Sequence, residues 1–405
     1  MTSLKYFLFA FFLITGQTIL AQTLIVKDGK RAIIKKQPTG DGEIITRIPE
    51  GTEVLKLNDL DRYYFVQLKD GRTGYSYKGN YLVSDGNASD FPDNNLDPKE
   101  RLMIRDDVLK IIVIDVEVGD ATLIICPEEN GKKDVILIDT GENDADRIKE
   151  ELIANGFVLA NTPITRFYVS HYDHDHMGDA KEITPLAKTT YDLGGSMNYY
   201  EDGTVILDRR TMTLNYEESF SGGVTVECIA TNNATDFDPT RTPHRDKNTN
   251  SMALIISYND FEYFTAGDLT LSPERSLATG VRNCDVYHAN HHGSSTTSSQ
   301  IDFVTRLDPE VTIASNGHKY GHPRDVVAQR LIDLGSVFCQ TNINLHDKAH
   351  HPQDKYLGDN TYNSKKKDED AEGATGSIRV IVDDDKYYLI MPRLPLSEGT
   401  FSIEH

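Results

Sequence analysis

His171-Tyr-Asp-His-Asp-His-Met-Gly-Asp179 packs three imidazoles and three carboxylates into nine residues, and its reading decides the fold. The apolar run Phe167-Tyr-Val-Ser170 leads straight into it, so a buried strand is expected to end where ligand-type side chains begin. Imidazoles and carboxylates at this density suit a hard or borderline divalent cation such as Zn²⁺ or Mn²⁺. The competing reading, a solvated acidic turn that happens to hold histidines, leaves the coincidence of six such residues unexplained.

The spacing is His171-x-Asp173-x-Asp175-His176-x-Gly178. Upstream lie Ile114-Asp-Val-Glu-Val-Gly-Asp-Ala121 and Ile136-Leu-Ile-Asp-Thr-Gly141. Downstream, in order, come Asn248-Thr-Asn-Ser251, Thr265-Ala-Gly-Asp268, His291-His-Gly-Ser294 and Tyr320-Gly-His-Pro323. The motif resembles the His-x-His-x-Asp-His motif of the metallo-β-lactamase superfamily, with Asp173 in place of the second histidine. That replacement resembles the metallo-β-lactamase-type domain of the competence DNA-uptake (ComEC-like) proteins. The ordered patches extend the resemblance over about residues 109–391. It implies an αββα sandwich, two β-sheets between helices, with two divalent metal ions at the sheet edge.

A chain of 405 residues has room for two or three domains. Residues 1–21 read as a signal peptide: Lys5 precedes an apolar stretch, residues 6–15, too short to span a bilayer comfortably. A cut after Ala21 fits, although Ile19 is larger than usual two positions before a cut, and the lack of cysteine argues against a lipid anchor. The mature chain is therefore expected to be exported, secreted or periplasmic. Cys126, Cys228, Cys284 and Cys339 stand in apolar contexts with no Cys-x-x-Cys pair, which suits buried thiols better than a thiolate zinc site.

Net charge is −21. Residues 22–84 carry eleven Lys/Arg against eight Asp/Glu, and Lys5 is the single charge before them, which leaves −25 on residues 85–405. Nucleic-acid binding draws most of its affinity from cations neutralising phosphates, so this surface grips a long polyanion poorly.

Residues 22–84 alternate short β-type runs with Gly40, Gly51, Gly71 and Gly74, the pattern of a small antiparallel barrel. Pro49-Glu-Gly-Thr-Glu-Val54 and Asp70-Gly-Arg-Thr-Gly-Tyr75 resemble bacterial SH3-like domains, which implies a cell-wall or surface partner. Tyr63, Tyr64, Tyr75 and Tyr77 either line a groove or belong to the barrel wall. Residues 85–98 form a polar linker, and residues 99–395 form the catalytic domain, with a polar insertion at 345–373. In that domain 109–114, 123–126 and 135–138 read as strands, 144–155 and 326–334 as helices, and 252–257 with 261–266 as a hairpin. The mixture predicts an α/β fold.

A two-metal centre needs a shared carboxylate, and Asp268, behind a strand and beside Gly267, is the natural bridge. Site B takes Asp175, His176, Asp268 and one of His291-His292; we expect His291 as ligand and His292 as a hydrogen bonder or proton carrier. Site A takes His171, Asp173 and Asp268. Many superfamily members supply another histidine where this chain has Lys247-Asn248, so site A is expected to be the weaker and richer in oxygen. Asp175 doubles as a catalytic carboxylate. His322, if its pKa is near neutral, protonates a leaving oxygen or stabilises a phosphoryl oxygen; the alternative is a structural histidine. His174 is expected to face outward. Asp139 and Asp120 are expected to support ligands or turns, and Asp179 to add a carboxylate near site B or cap a helix.

Three functions stay open on these residues. The first is a metal-dependent phosphodiesterase or nuclease acting on nucleic acid or a smaller diester. The second is an amide or ester hydrolase for β-lactam or lactone rings. The third is a non-catalytic exported binding protein acting through residues 22–84.

Overall fold

The computed structural model of the chain describes residues 22–36, 42–59, 62–84, 98–294, 296–315, 321–341, 376–391 and 399–403. The signal-peptide reading at 1–21, the linker apart from Pro98, Tyr320 and the polar tract 345–373 lie outside the described residues. The chain divides into two compact units, residues 1–95 and 96–405. No helix among the described residues is long and apolar enough to cross a membrane.

In the first unit seven strands form one antiparallel sheet: Ile44–Ile48, Ala32–Lys35, Thr73–Tyr77, Tyr63–Gln67, Glu53–Asp59, Gln22–Val26 and Tyr81–Val83, in spatial order. Alternation places Leu24 and Val26, Ala32 and Ile34, and Val54 and Val66 in its core. Tyr63, Tyr64 and Tyr75 are half-buried, and Tyr77 is exposed.

The second unit holds two sheets. Nine strands run in the order Arg209–Thr211, Ala187–Asp192, Ile164–Tyr168, Val135–Ile138, Thr122–Ile125, Leu109–Val113, Ile378–Asp383, Lys386–Ile390 and Thr400–Ser402. The other sheet runs Tyr216–Ser219, Thr225–Thr231, Ala253–Tyr258, Phe261–Thr265, Val286–His288, Val311–Ala314 and Val337–Gln340, with Ala234–Thr235 beside Thr225–Thr231. The period of two divides each strand between two cores. Leu109, Ile111 and Val113 join Leu254, Ile256 and Tyr263 between the sheets. Ile112, Leu123 and Leu137 face Ile148 and Leu152 of the helix Ala145–Ala154 on one outer face. Ala253, Ile255 and Phe264 face the helices Leu271–Leu277, Ile301–Leu307 and Asp325–Asp333 on the other. Helix, sheet, sheet, helix is the layering that results. Each fully buried Leu or Ile contributes about 1.5–3 kcal/mol.

The sheets also set the site's position. Val135–Ile138, Ile164–Tyr168 and Ala187–Asp192 are parallel neighbours in one sheet. Phe261–Thr265, Val286–His288 and Val311–Ala314 are parallel neighbours in the other. Asp139, His171, Asp268, His291 and Ser315 all follow the carboxyl ends of these strands, where parallel sheets leave a crevice. One small boundary difference appears: Pro98 opens the helix Pro98–Met103 rather than closing a linker. All four cysteines are buried free thiols.

Candidate metal centre

Asp268 follows Phe261–Thr265 and is 3% exposed, with its two oxygens serving two sides of one cluster. Oδ1 lies 3.0 Å from His176 Nε2 and 3.4 Å from His292 Nε2. His292 Nε2 is in turn 3.5 Å from Asp175 Oδ2 and 3.3 Å from His176 Nε2. On the other side, Oδ2 lies 3.4 Å from His291 Nε2 and 3.9 Å from His171 Nε2, and His171 Nε2 is 3.7 Å from Asp173 Oδ2. Gly267 makes this approach feasible. Its φ is +48°, and a Cβ there would stand 2.4 Å from Ser170 Oγ.

The rings' hydrogen bonds fix what the Nε2 atoms offer. Ser170 donates its backbone N–H and its hydroxyl to Asp139, at 2.7 and 2.5 Å. With the hydroxyl proton spent, His171 Nδ1–H donates to Ser170 Oγ at 3.1 Å. His176 Nδ1–H donates to Asp139 Oδ2 at 2.8 Å, and His292 Nδ1–H to the Ser315 carbonyl at 3.1 Å. Thr297 hands its proton to Ser294 and so accepts from His291 Nδ1 at 2.9 Å. Each Nε2 therefore presents a lone pair to a pocket already lined by carboxylates.

Acceptors gathered in this way fit a cation. Two donors on a tetrahedral zinc ion, each about 2.0–2.2 Å from it, stand about 3.4 Å apart, which is the spacing found around Asp268. His171 Nε2 and Asp268 Oδ1 are buried without a hydrogen-bond partner. Electrostatics agree. Burial opposes charge on Asp268 and Asp175, yet the histidines hold both far below the carboxylate range. His171 and, through a 2.9 Å contact, Lys247 bring Asp173 down to about 2. Burial also opposes protonating His176 and His292, but Asp268 with Asp139 and Asp120 raises both well above the ordinary histidine value. The pocket calls for positive charge, and a divalent ion supplies it without two protonated Nε2 atoms facing each other at 3.3 Å.

The two adjacent histidines trade the places expected for them. His292, not His291, stands beside Asp175 and His176; His291 joins His171 and Asp173, which gives that side its fourth donor. The cause is local backbone. His291 and His292 both take left-handed φ, 50° and 53°, so successive side chains diverge to opposite oxygens of Asp268. This conformation costs about 1–2 kcal/mol per residue. Next to this turn, buried Glu274 accepts from Asn290 Nδ2 at 2.8 Å, Ser299 N at 2.7 Å and Gln300 N at 3.1 Å. Nothing in the spacing of Glu274 marks it.

The remaining candidates sort plainly. His322 lines the pocket with its ring 6.3 Å from that of His292, but burial and both neighbouring histidines push its pKa down to about 3, against the near-neutral value expected. At pH 7 it is a neutral imidazole. His174 is exposed at the pocket mouth. Asp179 neither reaches the cluster nor caps its own helix; it accepts from Asp144 N at 2.5 Å, at the start of Ala145–Ala154. Asp120 backs the rings, with Oδ1 3.4 Å from His292 Nδ1 and 3.3 Å from His288 Nε2. Asn248, where the resemblance implies histidine in other members, puts Nδ2 3.2 Å from Asp268 Oδ2 and 3.5 Å from His291 Nε2.

Two sheets between helices, with the ordered motifs converging at the strands' carboxyl ends, identify the second unit. It is a metallo-β-lactamase fold. The chain is similar to competence-type proteins. Competence protein ComA of Neisseria gonorrhoeae is 25% identical over 185 residues, covering 44% of this chain and 24% of the relative. Recombination protein 2 of Haemophilus influenzae is 24% identical over 249 residues, covering 61% and 29%. The chain thus spans less than a third of the length of these relatives, 24% and 29%. Among solved structures, metallo-β-lactamase SMB-1 in complex with mercaptoacetic acid aligns at 15% identity and a TM-score of 0.34, covering 47% of this chain and 80% of that one. No family model matches.

Proposed function

We propose that the chain is a metal-dependent phosphodiester hydrolase. The observation that carries this reading is the composition of the pocket. Its roughly 210 Å³ are lined, among the described residues, by Asp173, His174, Asp175, Asn248, Asp268, His291, His292 and His322, all of them polar. A β-lactam or lactone ring would want apolar contact, whereas a phosphoryl group is a compact anion that meets this lining once cations are held there.

Asp175, His176, His292 and Asp268 would hold one divalent ion, and His171, Asp173, His291 and Asp268 the other; each set offers two imidazoles and two carboxylates, which suits zinc and is compatible with manganese. Bound divalent ions supply Lewis-acid polarisation and lower the pKa of water toward about 7. The protein supplies the rest. Asp139, Ser170, Ser315 and Thr297 lock the four rings. Asp175 stays ionised and orients the attacking water. Neutral His322 directs one N–H at a phosphoryl oxygen. Export through residues 1–21 and recognition of a cell-wall or surface partner by an SH3-like 22–84 unit belong to the same proposal.

The test is a panel of bis-p-nitrophenyl phosphate, single- and double-stranded DNA and nitrocefin, each with and without added Zn²⁺ or Mn²⁺. Metal-dependent diester cleavage is expected. Turnover of nitrocefin with no diester cleavage would overturn the reading in favour of amide or ester hydrolysis.

A further inference from the structure

Beside the metal pocket, on the connection between Ala187–Asp192 and Arg209–Thr211, a tyrosine ring is held outward on a rigid mount. Tyr199 is 47% exposed and stacks on Tyr172 with ring centroids 4.3 Å apart and planes 3° from parallel. Tyr172 sits between two pocket donors in sequence, His171 and Asp173, and its hydroxyl accepts from Gly195 N at 2.7 Å. Gly195 is required here. A Cβ on it would lie 2.7 Å from the Tyr172 ring and 2.9 Å from the Tyr199 ring. Beneath the loop, fully buried Asp192 accepts from Tyr200 Oη at 2.7 Å, Arg209 Nε at 2.7 Å and Gly194 N at 2.9 Å. The exposed ring is therefore fixed before anything binds.

Lys247 joins this ring to the pocket. Lys247 Nζ lies over the Tyr199 ring, 5.8 Å from its centroid, and 2.9 Å from Asp173 Oδ1 at the pocket lining. Met197, one turn away, is also exposed. A flat π surface, one ammonium and a polar cleft calling for cations form a row that matches a base, its sugar phosphate and the reacting phosphoryl group. Stacking on an aromatic ring tolerates any base. One lysine in an acidic surface neutralises one phosphate, so it does not track a long strand.

We infer that Tyr199, mounted on Tyr172 and flanked by Lys247, is a nucleobase subsite, and that the substrate is a short nucleotidic diester or the end of a single strand. The inference rests on the phosphodiesterase reading for the role of the pocket, but the subsite stands on its own geometry.

The experiment uses the full chain loaded with Zn²⁺ and two measurements. The first is binding of 2-aminopurine riboside 5′-monophosphate, which has no diester to cleave and whose fluorescence falls on stacking. Wild type and Tyr199→Phe should quench it and bind alike. Tyr199→Ala should lose the quench and bind on the order of 10-fold more weakly. The second is the ratio of kcat/KM for thymidine 5′-p-nitrophenyl phosphate to that for methyl p-nitrophenyl phosphate. It should fall by a similar factor in Tyr199→Ala, with the methyl ester unaffected. Unchanged quench and an unchanged ratio in Tyr199→Ala would overturn the subsite. Quenching that depends on Tyr199, with neither ester cleaved, would overturn the phosphodiesterase reading and leave the subsite standing.

Discussion

His176 and His292 meet through their Nε2 atoms at 3.3 Å, while each ring spends its Nδ1–H on a separate acceptor, Asp139 and the Ser315 carbonyl. Two lone pairs at that distance, next to Asp268 Oδ1, repel unless positive charge sits between them. The rings come from different sheets, one from the loop after Ile164–Tyr168 and one from the loop after Val286–His288. Bound metal would therefore tie the two sheets together at their carboxyl ends.

Among the described residues, Asp268 is the carboxylate that faces both halves of the cluster. Asp268→Ala should lower metal content at both sites and abolish diester cleavage. Metal content by atomic emission after gel filtration decides this. Two full equivalents in the variant would leave Asp268 without a bridging role.

The divergence of His291 and His292 predicts separable defects. His292→Ala should empty the side with Asp175 and His176, and His291→Ala the side with His171 and Asp173. With four donors on each side, apo-protein should bind two equivalents of Zn²⁺ in calorimetry, and each variant should retain one. If both variants lose the same equivalent, the division of the cluster is wrong.

How the pair divides could not be read from the sequence. Adjacent identical residues are indistinguishable by spacing, and the left-handed φ that both adopt, which sends their side chains apart, leaves no mark in the sequence. The first motif was far more legible, because Asp175 and His176 open a helical turn, His174–Met177, directly after a strand, and local geometry fixes which side chains turn inward. Strands read well where apolar runs are buried on both faces, as at Val135–Ile138. Tyr199 carried no signal, since a tyrosine in a loop gains meaning only from Tyr172, Gly195 and Lys247 around it.

The Asp139 carboxylate accepts from Ser170 N, Ser170 Oγ and His176 Nδ1 and so orients the groups behind the cluster. Asp139→Asn should weaken zinc binding on the side of His176 by about 10–100-fold, the usual effect of losing an orienting partner. Competition against a chromophoric chelator measures it. Unaltered affinity would mean that His176 is positioned by the fold alone.

Glu274 gives a pH signature away from the metals. Burial, against the donors Asn290, Ser299 N and Gln300 N, raises its pKa from 4.5 to about 7. Between those values the folded state holds a proton that the unfolded state has released, so this group's contribution to stability falls as pH rises through the window. Glu274→Gln, which stays neutral, should compare least favourably with wild type near pH 5, and its deficit in Tm should shrink by pH 8. A deficit that grows with pH would show that the ionised carboxylate is the stabilising form.

Charge sets the last expectation. Residues 85–405 carry −25, and Lys247 pairs with Asp173 of the pocket lining. Affinity for DNA should then come from one or two phosphates met at the metal cluster and from stacking, rather than from a track of cations. Few counterions are released by such contacts, so the slope of log K against log salt should be shallow, about −1 to −2, compared with the slope near −0.9 per phosphate expected for an extended interface. Cleavage of DNA should be sequence-independent and should favour single strands or ends over duplex interiors. Rates on a labelled single strand and the matching duplex between low and moderate salt test both statements. A steep slope with tight duplex binding would require a basic surface from residues outside this cleft and would remove the case for a short substrate.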